Sequence, residues 1–210
     1  MIDATEEYYR RHHAGGSGGP RRYGFTIGGG ARVEWFRTRL AGAVTVLDLG
    51  CRDGTLTSQY AAGRQVTGVD IDSDALAAAR EHHGIDTHHV NLNNTGLPFA
   101  DDAFDAVVAG EVIEHLQFPD VAVAELRRVL RPGGVLVGSV PNAFRLRNRL
   151  EFLLGREFEH DPTHLHQFSP RSMRKLLAQF TAVEIDFIEG RHAWISRRLL
   201  GTQMMFAGRK

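Results

Sequence analysis

Val46-Leu47-Asp48-Leu49-Gly50-Cys51-Arg52-Asp53-Gly54-Thr55-Leu56 compresses a strand, a glycine turn and the start of a helix into one short run. Thr45 to Leu49 is an apolar stretch of the length that forms a buried strand. At Gly50 and Gly54 the backbone can approach a ligand with no side chain in the way. A helix over Leu56 to Ala62 completes the unit.

The same beat runs outward in both directions. Upstream, Arg32 to Leu40 reads as a helix. Downstream come a strand over Gln65 to Asp70, a helix over Ser73 to His82 with Ser73 as N-cap, and a short strand over His88 to Leu92. Phe104 to Ala109 gives another strand. Ala122 to Leu130 is an amphipathic helix ended by Arg131-Pro132-Gly133-Gly134, and Val135 to Val140 is a fifth strand. The tail adds a helix over Pro170 to Phe180 and strands over Val183 to Ile188 and Thr202 to Phe206. This alternation predicts an α/β fold: a Rossmann-like, doubly wound, mainly parallel seven-stranded sheet with helices on both faces. Ligands of such sheets bind at the carboxyl ends of the strands.

With 210 residues, 42% of them hydrophobic, the chain can bury one substantial core, which favours a single domain over residues 31–210. Residues 1–30 stand apart as a flexible segment or lid, because Ala14 to Pro20 (AGGSGGP) and Gly28 to Gly30 resist helix. Tyr8, Tyr9, His12 and His13 precede those glycines on one helical turn, either closing over a pocket or decorating a frayed end. Lys and Arg number 25 and balance 25 Asp and Glu, so overall charge predicts neither a nucleic-acid nor a membrane partner, although a local basic patch stays open. The lone Cys51 cannot form an internal disulfide, and no apolar run approaches the roughly 18 residues that span a bilayer. The first residues also lack the basic start and apolar stretch of a secretory signal, so a cytoplasmic protein is expected.

Twenty residues after Gly50, Val69-Asp70 ends the second strand, where a carboxylate can accept both hydrogen bonds of a ribose diol. Dinucleotide and S-adenosylmethionine readings compete at this point. A nicotinamide fingerprint started at Gly50 wants further glycines where this chain has Arg52 and Thr55. The segment instead resembles the first motif of class I methyltransferases, which Asp48, Gly50 and Gly54 match and Arg52 departs from. Val69-Asp70 with Asp72, Leu97-Pro98-Phe99 through Asp105, and Leu130 through Gly134 also fit that family, in order, over residues 45–140. The resemblance implies S-adenosylmethionine as cofactor, held by Asp48, Gly50, Cys51 and Gly54. It further implies that Asp70 and Ile71 lie at the ribose, Asn91 and Leu92 at adenine, and Gly110 and Glu111 at the methionine moiety.

Methyl transfer from a sulfonium is an in-line displacement, so the protein must chiefly align acceptor, methyl and sulfur. Two segments offer further chemistry: Glu111-Val112-Ile113-Glu114-His115, and His160 through Phe168 with His164 and His166. On a helix, positions 111, 114 and 115 share a face. Two carboxylates and an imidazole could bind Mg2+ or Mn2+ and lower the pKa of a coordinated hydroxyl. Glu111, Glu114 and His115, with His164, are similar to the metal site of small-RNA 3′-end 2′-O-methyltransferases, and Phe168-Ser169 supports that alignment. Glu-x-x-Glu-His also appears in ubiquinone-pathway O-methyltransferases. Without metal, His115 or His164 is the natural catalytic base. His82, His83, His88 and His89 read as surface or packing residues.

Residues 142–169 form a substrate-covering insertion. It holds a helix with Arg145, Arg147, Arg149 and Arg156, either gripping an anionic substrate or lying solvated over an apolar stripe of Phe144, Leu150, Leu153 and Leu154. Pro141-Asn142 with Arg147-Asn148-Arg149-Leu150 looks like methionine-biosynthesis-type methyltransferases. The expectation is O-methylation of a small polar metabolite. A metal-assisted 2′-O-methyltransferase of a nucleotide or RNA end, and a non-catalytic cofactor-binding accessory protein, are the alternatives.

Overall fold

The computed structural model describes residues 4–13, 29–94, 96–157 and 161–210; the AGGSGGP stretch and His160 lie outside them. The elements in order are α1 (Ala4–His13), α2 (Gly29–Arg39), β1 (Thr45–Leu49), α3 (Thr55–Ser58), β2 (Gln65–Asp70), α4 (Ser73–His83), β3 (Asp86–His89) and β4 (Phe104–Gly110). A 3-10 turn (Ile113–His115) follows, then α5 (Pro119–Val129), β5 (Leu130–Pro141), α6 (Leu146–Leu153), α7 (Pro170–Leu176), β6 (Thr181–Ile188), α8 (Arg197–Leu200) and β7 (Gln203–Arg209). One sheet takes all seven strands in the order β3-β2-β1-β4-β5-β7-β6.

Strand pleating divides the core. Val46, Ala106, Val108, Val135 and Val137 face Trp35, Phe36 and Leu40 of the α2 region with Tyr60. Leu47, Leu49, Val107, Ala109 and Leu136 face Val123, Leu126 and Val129 of α5 and Met173 of α7. Alternate residues thus serve opposite helical layers, which is why β1 and β4 are largely apolar on both faces rather than alternating.

The expected mainly parallel sheet is in fact mixed, because β7 runs antiparallel to both β5 and β6. The link from β6 to β7 carries only the four-residue α8 and closes at its base, where the Thr202 N–H donates to the Ile188 carbonyl at 3.1 Å. With no crossover helix to carry it over the sheet, the chain turns straight back. Local details differ too. Asp72, not Ser73, caps α4, accepting the N–H groups of Asp74 and Ala75, each at 3.1 Å. Ser73 instead donates to Glu6 of α1 at 3.0 Å. Gly29 and Gly30 enter α2, the third strand sits at Asp86–His89 rather than His88 to Leu92, and Arg131 to Gly134 continue as part of β5.

Two interior positions tolerate little. A Cβ on Gly138 of β5 would overlap both the Phe206 ring of β7 and the Ala109 carbonyl oxygen of β4. Gly138→Ala should therefore cost about 2 kcal/mol of stability in urea unfolding. Asp48 at the end of β1 is buried, accepts from the Thr57 hydroxyl, and is pushed by burial to a pKa of about 6. Raised in the folded state, this carboxyl contributes stability that is present at low pH and lost as pH rises from about 4 through about 6. Asp48→Asn should remove that loss, making the decline in unfolding free energy from about pH 4.5 to about pH 7.5 smaller than in wild type by on the order of 2 kcal/mol. An unchanged decline would show that Asp48 ionises normally.

Candidate functional site

The carboxyl ends of β1, β2, β4 and β5 meet at one edge of the sheet, and most of the residues singled out from sequence lie there. The turn after β1 is left-handed at Gly50 (φ 69°), Arg52 (φ 51°) and Gly54 (φ 75°). The N–H groups of Gly50 and Cys51 both donate to the Val69 carbonyl, at 2.8 and 3.1 Å, so the turn is tied to the end of β2. A side chain at Gly50 would crowd Val112 at 3.0 Å, and one at Gly54 would strike Ile85 at 2.6 Å. Cys51 is buried against Gly68, and burial pushes its thiol well above the ordinary range, so it is an inert packing group.

Asp70 is aimed by backbone. One carboxylate oxygen accepts the Arg52 N–H and the other the Asp72 N–H, both at 2.9 Å. Ile71 follows, its carbonyl 2.9 Å from a ring nitrogen of His89. Asn91 lies past the end of β3, its side-chain oxygen accepting from Asn93 N–H at 3.1 Å, and Leu92 packs half-buried against the core. Gly110 ends β4 beside Leu56 and Phe36.

The second constellation assembles in part: Glu114, His115 and His164 come together as a group, and Glu111 lies outside it. Glu111 has a left-handed φ of 57° and accepts from the Ser139 hydroxyl at 2.7 Å, with the Arg32 guanidinium 3.9 Å away. Burial pushes its carboxyl up and Arg32 pulls it down, the net direction being upward. Glu114 is 1% exposed, and neither of its carboxylate oxygens accepts a hydrogen bond within the described residues. Burial, then the like charge of Glu111, pushes it well above the ordinary carboxylate range. The His115 Nδ1 lies 3.0 Å from the Thr163 carbonyl. A carbonyl only accepts, so Nδ1 carries a proton, and Nε2 lies 4.0 Å from the Glu114 carboxyl. The His164 ring lies against His115 with centroids 4.8 Å apart, and one ligand atom each from Glu114, His115 and His164 falls within 4.8 Å of the others. His166 turns instead toward Phe168, and His82, His83, His88 and His89 are exposed.

Three participants escaped the sequence reading as site residues. Arg32 is 4% exposed and sits on the same helical stripe as Trp35 and Phe36, so its charge on a core-facing position was the available signal. Ser139 and Thr163 carry no signal, because their roles depend on strand pairing and on a loop carbonyl. α1 lies over this edge: Arg10 pairs with Asp74 at 2.7 Å, and Tyr9 meets His115 edge-on at 6.1 Å. Burial, with nearby acids including Asp161, Asp70 and Glu114, pushes the Tyr9 phenol up to about 12.

Comparison with known proteins agrees with this architecture. Residues 47–138 match the family model for a methyltransferase domain. A "probable S-adenosylmethionine-dependent methyltransferase" of Mycolicibacterium smegmatis is 37% identical over 134 residues, covering 63% of this chain and 49% of that protein. A ubiquinone biosynthesis O-methyltransferase of Aromatoleum aromaticum is 36% identical over 135 residues, covering 60% and 56%. The chain thus spans about half the length of these curated relatives. Among solved structures, the N-methyltransferase NodS of Bradyrhizobium japonicum, in complex with S-adenosyl-L-homocysteine, superposes with a TM-score of 0.67 at 16% identity, covering 98% of each chain. A S-adenosylmethionine-dependent methyltransferase of Archaeoglobus fulgidus superposes at 0.66 and 17% identity, covering 99% and 100%. Its sheet order, its motif series and the methyltransferase-domain match over residues 47–138 make the chain similar to the class I S-adenosylmethionine-dependent methyltransferases.

Proposed function

We propose that the protein transfers a methyl group from S-adenosylmethionine to an oxygen of a small polar acceptor. The observation that carries this reading is the placement of His115, its Nδ1 held by the Thr163 carbonyl and its Nε2 4.0 Å from Glu114, on the same sheet edge as the backbone-aimed Asp70. The residues present fit the cofactor: glycine at positions 50 and 54 lets the turn after β1 take its left-handed path, and Asp70 offers the carboxylate that a ribose diol needs. Bound there, the cofactor supplies an activated methyl on a sulfonium. The chain's own work is alignment and proton removal. Asp70 and Ile71 hold the ribose, Asn91 and Leu92 border adenine, and Asp48, Gly50, Cys51, Gly54, Gly110 and Glu111 shape the methionine end. His115 Nε2 takes the acceptor's proton, and Glu114 stabilises the imidazolium that results. Residues 142–169 with α1 cover the acceptor.

One observation favours a second reading: the unpartnered, buried Glu114 carboxylate beside His115 and His164 is a donor set suited to a divalent cation. In that case Glu111, Glu114, His115 and His164 hold Mg2+ or Mn2+ and the acceptor is a nucleotide or RNA end.

Calorimetric titration with S-adenosylhomocysteine should give saturable binding that Asp70→Ala weakens on the order of 100-fold. No binding by folded wild type would overturn the cofactor reading. In turnover assays, His115→Ala should lower kcat by about 100-fold or more with little change in cofactor affinity. Activity that survives EDTA supports the metal-free reading; activity lost to EDTA and restored by Mg2+ or Mn2+ selects the second.

A further inference from the structure

Helix α6 leaves the carboxyl end of β5 and turns its apolar stripe away from the core. Leu146, Leu150, Leu153 and Leu154 fall on one helical face and are 40%, 51%, 78% and 66% exposed, while Asn148, the buried residue of the helix, lies on the opposite side. Sequence patterning led to the opposite expectation, a stripe facing inward. α6 packs beside α8, with the Asn142 amide donating to the Arg198 and Gly201 carbonyls at 3.0 and 2.9 Å. Just before α8, Trp194 is 82% exposed. These side chains leave exposed apolar groups on two neighbouring parts of the fold, α6 and the segment that leads into α8.

Arginines accompany these groups. Arg147 and Arg149 flank the leucine stripe on either side, Arg156 follows, and Arg191, Arg197 and Arg198 lie within four residues of Trp194 in the chain; all are exposed. Of the acids nearby, Glu151 lies between Arg147 and Arg156 at 3.9 and 3.5 Å, and Asp186 is 3.5 Å from Arg197. Against these six arginines stand Glu151, Glu157, Asp186 and Glu189 in the same segments, which leaves the face a small positive excess in a chain of equal basic and acidic counts.

We propose that the α6–α8 face docks on an anionic lipid bilayer, with α6 lying in the interface plane. Leucines and a tryptophan flanked by arginines match such a boundary: apolar side chains enter the acyl edge while guanidinium groups bind headgroup phosphates. A second copy is the poorer occupant, because a symmetric contact would set arginine rim against arginine rim. Nucleic acid would satisfy the arginines and leave the leucines in water. The inference is independent of which acceptor the enzyme uses.

Flotation with vesicles tests it. The chain should float with phosphatidylcholine vesicles containing about one-third phosphatidylglycerol, stay behind with phosphatidylcholine alone, and release at high salt. Trp35 is buried, so a blue shift of tryptophan emission on binding should report Trp194 and vanish in Trp194→Phe. The exposed pair Leu153→Ser/Trp194→Ser should keep the wild-type circular dichroism and partition at least roughly tenfold less. Failure of wild type to float with anionic vesicles overturns the proposal, as does equal flotation of the double variant. A concentration-dependent dimer that the double variant dissolves, without lipid binding, would reassign the face to a second copy.

Discussion

The carboxyl ends of β1 and β2 are clasped together, and the rest of the site is arranged around that clasp. The Val69 carbonyl receives two N–H groups from the turn after β1, while the Asp70 carboxylate receives the N–H of Arg52 from that same turn. To present those donors the backbone goes left-handed at three residues, one of which is Arg52, where a side chain costs about 1 kcal/mol that glycine would not. The Val90 N–H then donates to the Asp70 carbonyl at 2.9 Å, so the exit from β3 is fixed to the same residue. Three strand ends and one helix start share a single hydrogen-bonded knot.

Around this knot the edge gathers carboxyl groups. Asp48, Asp70 and Glu114 are buried and Glu111 partly so, against one buried cation among the described residues, Arg32. Burial raises Asp48, Glu111 and Glu114 alike, the direction expected where desolvation outweighs the available compensation. Such an edge is electrostatically complementary to a positively charged ligand. Glu111 is the best compensated of the raised group, with Ser139 and Arg32 beside it, and Glu114 the least.

What could be read beforehand follows from how local each feature is. The β1 turn, the β2 aspartate and the alternating elements are encoded within short windows, because strand, glycine turn and helix are consecutive in the chain. The orientation of β7 is not local: it depends on the missing crossover helix and on hydrogen bonds to Ile188 and β5. The choice of Asp72 over Ser73 as helix cap turned on a partner 67 residues away, since Glu6 engages the serine hydroxyl. Arg32 was visible as a residue type but not as a neighbour of Glu111, which requires α2 and the end of β4 to be placed together. The α6 stripe shows the limit of periodicity, which identifies an apolar face without saying what the face meets.

The acceptor side of the site is held in two different ways, and the difference bears on how it works. Residues 161–168 are joined to the 3-10 turn through backbone: the N–H groups of Leu165 and His166 donate to the Glu114 carbonyl at 2.9 and 3.1 Å, and the Thr163 carbonyl receives His115. Moving that segment would displace Glu114 and His115 with it, so it behaves as one unit with the 3-10 turn. α1 is attached through side chains instead, Glu6 to Ser73 and Arg10 to Asp74, with Tyr9 resting against His115. Contacts of that kind are broken without disturbing either the clasp or the histidine pair, and local opening draws on the least costly contacts first. On the proposed reading, α1 is therefore the element that opens to admit ligands, while the loop that carries His164 stays in place.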